Sequence, residues 1–265
     1  MTRANSFSNG SLAALPSDGV NTMTLFLRAS VLVVLAASSL AACDGQSLDG
    51  GTRHAFFVRA ALAPPVHTSD QTSACVYTAD PTNAVLFKGT ADLGVADGYQ
   101  LTLLLQGSDA TVATSVTGAQ VVLATPDGTT VREFSLVTTG FIDPGKNAVV
   151  SLTAIDAPSR DLLLAMVPNR VAKATVVANV TLTGRDPAGG SDVSSPVFSF
   201  PIDVCNGCLV DFSTGNDNTA RMQPNCLAPR PASVALPCFV GQDEAVACQL
   251  CIGSRPACDP AMLSP

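Results

Sequence analysis

From about Ser73 to Val204 the sequence runs as short apolar or alternating segments, each closed by a turn signal, and this spacing constrains the fold more than any other feature. "CVYT" (Cys75 to Thr78) is a short strand candidate, "AVLFKGTADL" follows, and "YQLTLLLQ" (Tyr99 to Gln106) is leucine-rich and partly alternating. "AQVVLATPDGTTVREFSL" reads as a hairpin with strands near Gln120 to Ala124 and Thr129 to Leu136, because "TPDG" places Pro and Asp-Gly where a tight turn needs them. "DPG" (Asp143 to Gly145) is another turn, and "NAVVSLTAI" is the next strand. "DAPSRDLLLAMVP" predicts a short helix capped by Asp156, with Pro158 in its first turn and Pro168 at its end, although its apolar run also suits a strand. "RVAKATVVANVTLTG" is a long strand with Val171, Lys173, Thr175, Val177, Asn179 and Thr181 on one side. After the turn "RDPAGG" comes the last strand, "DVSSPVFSFPIDV", where Pro196 and Pro201 call for an edge position or breaks in pairing. Seven or more strands roughly 10 to 20 residues apart predict an all-β fold, an Ig-like or fibronectin-like antiparallel β-sandwich. The chain has no Trp, so an antibody-type domain is set aside in favour of the looser Ig-like class.

The N-terminal region says where such a domain would work. "ASVLVVLAASSL" (Ala29 to Leu40) is an apolar run too short to span a bilayer as a mature helix, with Arg28 before it and small residues after it. That is the pattern of a secretory signal. Leu40, Ala41, Ala42 and Cys43 resemble the lipobox of bacterial lipoproteins, which implies cleavage before Cys43 and its lipidation. The polar first 22 residues suit such a signal poorly, and Met23 is an alternative start. Without Arg3, Arg28 and Asp18, 12 of the 14 basic and 20 of the 21 acidic side chains remain, a net charge of −8. That charge opposes binding to nucleic acid or to an anionic membrane surface, so attachment falls to lipid on Cys43. Asp44 resembles the inner-membrane retention signal of enteric bacteria; other groups do not follow that rule, so inner and outer membrane both stay open.

Eight further cysteines are Cys75, Cys205, Cys208, Cys226, Cys238, Cys248, Cys251 and Cys258. An even number in an exported chain predicts four disulfides and no free thiol, with 105 possible pairings. "CNGC" and "CQLC" are both C-x-x-C pairs, but 39 residues separate them, too many for a zinc ribbon. "CNGC" also follows a strand-like run instead of opening a helix, which disfavours a redox role. Cys75 stands apart from the rest and is expected to join the end of the last strand at Cys205 or Cys208.

A lipobox, a β-domain opening on "CVY", a "GFIDPG" turn, the exit "VCNGCLVDF" and a tail with "PCFVGQDEAVACQLC" together resemble a group of uncharacterised lipoproteins of myxobacteria and their relatives. The expected organisation is a signal region at 1–42, a lipidated tether at 43–72, a β-sandwich at 73–204 and a cysteine-rich tail at 205–265. Within the tether, "HAFFVRAAL" (His54 to Leu62) is apolar enough for a short helix or strand lying on the domain.

Catalytic motifs are scarce. Both histidines, His54 and His67, fall in the expected tether, where no general base is held in place. The chain has no GxSxG elbow, no phosphate-binding loop and no dinucleotide fingerprint. "DFSTGNDN" (Asp211 to Asn218) reads as a polar turn, not a calcium loop, "NVT" (Asn179 to Thr181) as a chance glycosylation match, and Asp243-Glu244 as a solvated acidic pair. The expectation is a lipid-anchored, non-enzymatic envelope module with no cofactor and no metal. It meets the membrane through Cys43, does not bind nucleic acid, and serves as a structural or partner-binding unit for an envelope protein or glycan. A carboxylate-dependent envelope hydrolase is the alternative.

Overall fold

The computed structural model describes residues 54–65, 75–108, 111–212, 226–227 and 237–263. The signal region, Cys43, His67 and most of "DFSTGNDN" lie outside the described residues. Among the described residues, twelve strands and one α-helix follow in chain order: β1 (Phe56–Leu62), β2 (Val85–Leu86), β3 (Gly89–Asp92), β4 (Tyr99–Gly107), β5 (Thr114–Ala124), β6 (Thr130–Ile142), β7 (Asn147–Ile155), α1 (Ala157–Met166), β8 (Lys173–Arg185), β9 (Asp192–Ser194), β10 (Phe198–Cys205), β11 (Val210–Asp211) and β12 (Val246–Ala247).

Ten of these strands form an all-β sandwich of two sheets, and β11 and β12 pair with each other in parallel as a separate two-stranded sheet. One sheet has the order β2-β1-β4-β7; the other runs β3-β10-β8-β5-β6, with β9 against β8. Among the long strands, the first, second and fifth share a sheet and the remainder form the other, which is the Ig-like and fibronectin-like order. All pairs within these two sheets are antiparallel except β3 with β10. Alternation fills the core between them: Leu101, Leu103 and Leu105 of β4 and Val150, Leu152 and Ala154 of β7 meet Val121 and Leu123 of β5, Val176, Ala178, Val180 and Leu182 of β8, and Phe200, Ile202 and Val204 of β10. Thr175, Val177, Asn179 and Thr181 of β8 lie on the outer, half-exposed side, as the alternation predicts.

Local chemistry sets the boundaries. Gly128 N–H donates to the Thr125 carbonyl at 2.9 Å and Gly128 takes φ +91°, which closes the β5–β6 hairpin on "TPDG". Asp156 caps α1 by accepting from Ser159 N at 2.9 Å, and Pro158 sits in the first turn, so this segment is a helix. Pro196 separates β9 from β10. Pro201 pairs with Val177 of β8, while the β3 partners begin only at Ile202, so Pro201 occupies a stretch with a neighbour on one side.

Three expectations change. Phe56–Leu62 is not tether: β1 pairs with both β2 and β4, with Phe56 and Ala61 buried in the core. Cys75 to Thr78 forms no strand. It lies over the outer face of β4, where Tyr77 neighbours Thr102, and this cover accounts for the burial of Thr102 and Leu104 on that face. The last strand is two strands. Among the described residues no helix is long and apolar enough to cross a membrane.

Candidate functional site

The chemistry-bearing residues concentrate where the cysteine-rich tail seats on the sandwich. Asp92 ends β3 and is 0% exposed. Its Oδ1 accepts from Gly94 N at 3.1 Å and Gly207 N at 2.6 Å, and its Oδ2 accepts from Leu209 N at 2.9 Å. One carboxylate thereby holds the "CNGC" loop against the end of the sheet. Burial pushes its carboxyl above the usual range, against the pull of the three backbone donors and of Arg170. Gly207 has φ +85°, a left-handed conformation that favours glycine, and a Cβ there would crowd the Arg170 side chain at 3.1 Å from Nε.

Residues 241–243 run along the outer edge of β3. Asp92 N–H donates to the Gly241 carbonyl at 2.8 Å, Asp243 N–H donates to Thr90 O at 2.9 Å, and Ala91 bridges Gln242. Asp243 returns the contact: Oδ1 accepts from Thr90 N at 2.7 Å and Oδ2 from the Tyr99 hydroxyl at 2.9 Å. Gln242 Oε1 accepts from Gln100 N at 2.8 Å, and its Nε2 donates to Gln100 O. Asp243 adopts φ +60°, a left-handed conformation that Asp tolerates better than most residues. The tail thus covers a sheet edge that would otherwise be open. Asp243 is therefore a fastener, not the solvated acid its neighbours suggested.

Burial raises the Asp243 carboxyl, against its hydrogen bonds to Thr90 and Tyr99. Burial, then the Asp243 charge, raises the Tyr99 phenol. A raised folded-state carboxyl contributes stability that is full below the unfolded value near 4 and is lost as pH climbs through the folded value. Asp243→Asn keeps the left-handed preference and removes the titration. Its unfolding free energy, measured by chemical denaturation, should gain on the wild type between pH 4 and pH 7. Parallel pH curves for the two proteins would remove the burial argument.

All eight cysteines of body and tail sit at disulfide distance. The pairs are Cys75–Cys238, Cys205–Cys208, Cys226–Cys248 and Cys251–Cys258, with Cα separations of 5.4, 5.9, 5.2 and 5.6 Å. The expected link from Cys75 to Cys205 or Cys208 is overturned. Because β3 and β10 run parallel, Cys205 at the end of β10 is level with Asp92 at the end of β3, and Cys75 precedes that pairing by many residues. The tail instead folds back to bring Cys238 to Cys75. Closing that 163-residue loop removes about 5 kcal/mol of unfolded-state entropy, whereas the three-residue Cys205–Cys208 loop accounts for about 1.5 kcal/mol on the same relation. Cys226, Cys248, Cys251 and Cys258 pack with Val95, Val210 and Val246 into a small second core. A ligand oxygen of Asp92 and the sulfurs of Cys205 and Cys208 lie within 4.8 Å of one another, but as a disulfide the sulfurs offer no thiolate to a metal.

Two grooves remain. One, of about 400 Å³, is lined by Asp97, Gln100, Thr153, Asp156, Phe239 and Gln242. Both of its aspartates are engaged, Asp156 with Ser159 and, at 3.3 Å, with Arg132, and Asp97 with Arg255. Burial opposes the Asp156 charge, but the Ser159 hydrogen bonds and the Arg132 charge outweigh it and hold the carboxyl below the usual range. The other groove, of about 340 Å³, holds His54 with Ser108, Asp186 and Ser191. His54 is fixed, not free on a tether: its Nδ1–H donates to Ser194 O at 2.9 Å, and the Ser108 hydroxyl donates to His54 O at 2.8 Å. These contacts tie the start of β1 to β9 and to the end of β4.

Sequence reading passed over Asp92, Tyr77, Tyr99 and Gln242. Both tyrosines of the chain lie at this junction, but their partners are distant in sequence, and only an acid set between apolar residues in "TADLGV" hinted at burial.

No family model and no curated protein matches the chain. Solved structures give weak likenesses. A structural-genomics target, SoR45, is 10% identical, covers 38% of this chain and 68% of its own, and has a TM-score of 0.28. A protein from Archaeoglobus fulgidus is 13% identical over 39% of this chain and 82% of its own, with a TM-score of 0.26. A candidate late embryogenesis abundant (LEA) protein is 12% identical over 66% of this chain and 80% of its own, with a TM-score of 0.29. Likenesses of this size carry no argument about function.

Proposed function

We propose that the protein is lipid-anchored in the cell envelope through Cys43 and that its sandwich and tail act as a rigid, non-enzymatic module for spacing or for binding an envelope protein or glycan. The observation that carries this reading is four disulfide pairs, using every cysteine after Cys43, downstream of a signal that ends in Leu40-Ala41-Ala42-Cys43. Such a pattern suits an exported, oxidising location. Two lipid chains or more on Cys43 would hold the acidic body at a membrane that its charge does not favour. The junction also supports a binding module over a hydrolase, since Asp243 is committed to fastening the tail and Asp97 and Asp156 to their arginines.

Replacing Cys43 with serine in the producing cell should leave the precursor at full length and free of label from a fatty-acid analogue. Recovery of a shortened, membrane-held product from that variant would defeat the anchor.

A further inference from the structure

We propose that Cys205 and Cys208 form a reversible dithiol–disulfide site that exchanges with dithiols of other exported polypeptides, with Asp92 carrying the proton of Cys205. Three observations converge on this loop. First, its shape does not depend on the sulfur–sulfur bond. Asp92 holds Gly207 N and Leu209 N, Leu93 N donates to Cys205 O at 2.8 Å, and Gly207 packs against the Arg170 side chain. The bond closes a loop of only three residues and adds little to the fold. It can therefore open and close without loss of structure. Second, the two sulfurs differ in access: Cys205 is 2% exposed, while Cys208 is partly exposed. Exchange needs one sulfur that an incoming thiolate can reach and one that leaves into the protein. Third, a carboxylate oxygen of Asp92 lies within 4.8 Å of both sulfurs, and burial favours its protonated form. The sequence argued against a redox role because no helix follows "CNGC" to lower a thiol's pKa; the buried carboxyl acts differently, as a proton donor to the leaving sulfur.

A thiolate of the incoming dithiol attacks Cys208 Sγ. The bond to Cys205 Sγ breaks, and the electron pair leaves on Cys205, which takes the proton of Asp92. The second thiol of the incoming chain loses its proton to water and attacks its partner sulfur in the mixed disulfide, and Asp92 regains its proton from water after the incoming chain has left. The incoming chain leaves as a disulfide, and Cys208 leaves as a thiolate that is protonated from water. Two electrons and two protons have passed from the dithiol to the protein. The step does not depend on the lipid anchor.

The direct test is a titration of the full chain with dithiothreitol, followed by alkylation and peptide mapping. Cys205 and Cys208 should take label at reductant levels at least tenfold below those that open the other three pairs, with the melting transition still cooperative. Opening in step with the others, or only on unfolding, would overturn the proposal. Mixing the oxidised protein with a reduced, unstructured peptide carrying two cysteines should yield oxidised peptide and label at Cys205 and Cys208; no transfer would rule out the substrate class. Cys208 left alone in Cys205→Ser should react with iodoacetamide at least tenfold faster than Cys205 left alone in Cys208→Ser, and equal or reversed rates would undo the assignment of roles. In Cys208→Ser, reaction of Cys205 should rise with a midpoint above the ordinary thiol value of about 8.5, because the carboxylate opposes a second charge. Asp92→Asn added to that variant should bring the midpoint down. An ordinary midpoint in Cys208→Ser, readable even if the double variant does not fold, would remove Asp92 from the mechanism.

Discussion

Replacing Cys75 by alanine should lower the melting temperature by about 10 to 20 °C and expose one new thiol, at Cys238. The size follows from the loop: 163 residues separate the pair, and releasing it returns about 5 kcal/mol of entropy to the unfolded chain. For a domain of this length each kcal/mol shifts the midpoint by roughly 2 to 4 °C. The loss is concentrated at one place, because this bond joins the segment over the outer face of β4 to the tail that covers β3. Circular dichroism melting without reductant, with thiol counting and peptide mapping, checks it. An unchanged midpoint, or a free thiol elsewhere than Cys238, would contradict the connectivity.

Asp92→Leu should cost about 3 to 5 kcal/mol. The leucine fills the space but leaves Gly94, Gly207 and Leu209 N–H groups without their acceptor, and a buried donor without a partner costs about 1 to 3 kcal/mol each before relaxation. Asp92→Asn keeps one carbonyl oxygen and should cost about 1 to 2 kcal/mol. The damage should be local first, so limited proteolysis should cut near 205–209 in the leucine variant before the sandwich opens. If leucine proved as stable as asparagine in denaturant titrations, the carboxylate would not be holding the loop.

The elements that could be read from sequence are those whose cause is local. β7 runs over "NAVVSLTAI" because alternation and the "DPG" turn define it, the β5–β6 hairpin follows from "TPDG", and α1 follows from Asp156 and its two prolines. The elements that were left open or misread depend on distant partners. "FFVRAAL" lies between polar, glycine- and proline-containing stretches and becomes a strand only because β4, some 40 residues on, offers it a sheet edge. "CVYT" has strand-like composition but finds a sheet face instead of an edge. The number of disulfides follows from a count, whereas the partner of Cys75 depends on the parallel register of β3 and β10, which no spacing announces. The acids divide in the same way. Asp156 shows its role through Pro158 two residues later, while Asp92 and Asp243 act on groups more than a hundred residues away.

The connectivity also governs how the chain must mature. A ribosome delivers a polypeptide from its N-terminus, and Cys75 emerges with no partner until the tail appears. The first thiols to reach it are Cys205 and Cys208, which are not its partners, and Cys238 comes only fourth among those that follow it. The bonds Cys75–Cys238 and Cys226–Cys248 interleave, each having one end inside the span of the other. At about 5 to 20 residues per second, the 163 residues between Cys75 and Cys238 take roughly 10 to 30 seconds to make. Oxidation faster than that traps wrong pairs, and reaching the native set then requires thiol exchange. The same crossed pattern that locks the finished molecule makes its assembly a matter of timing.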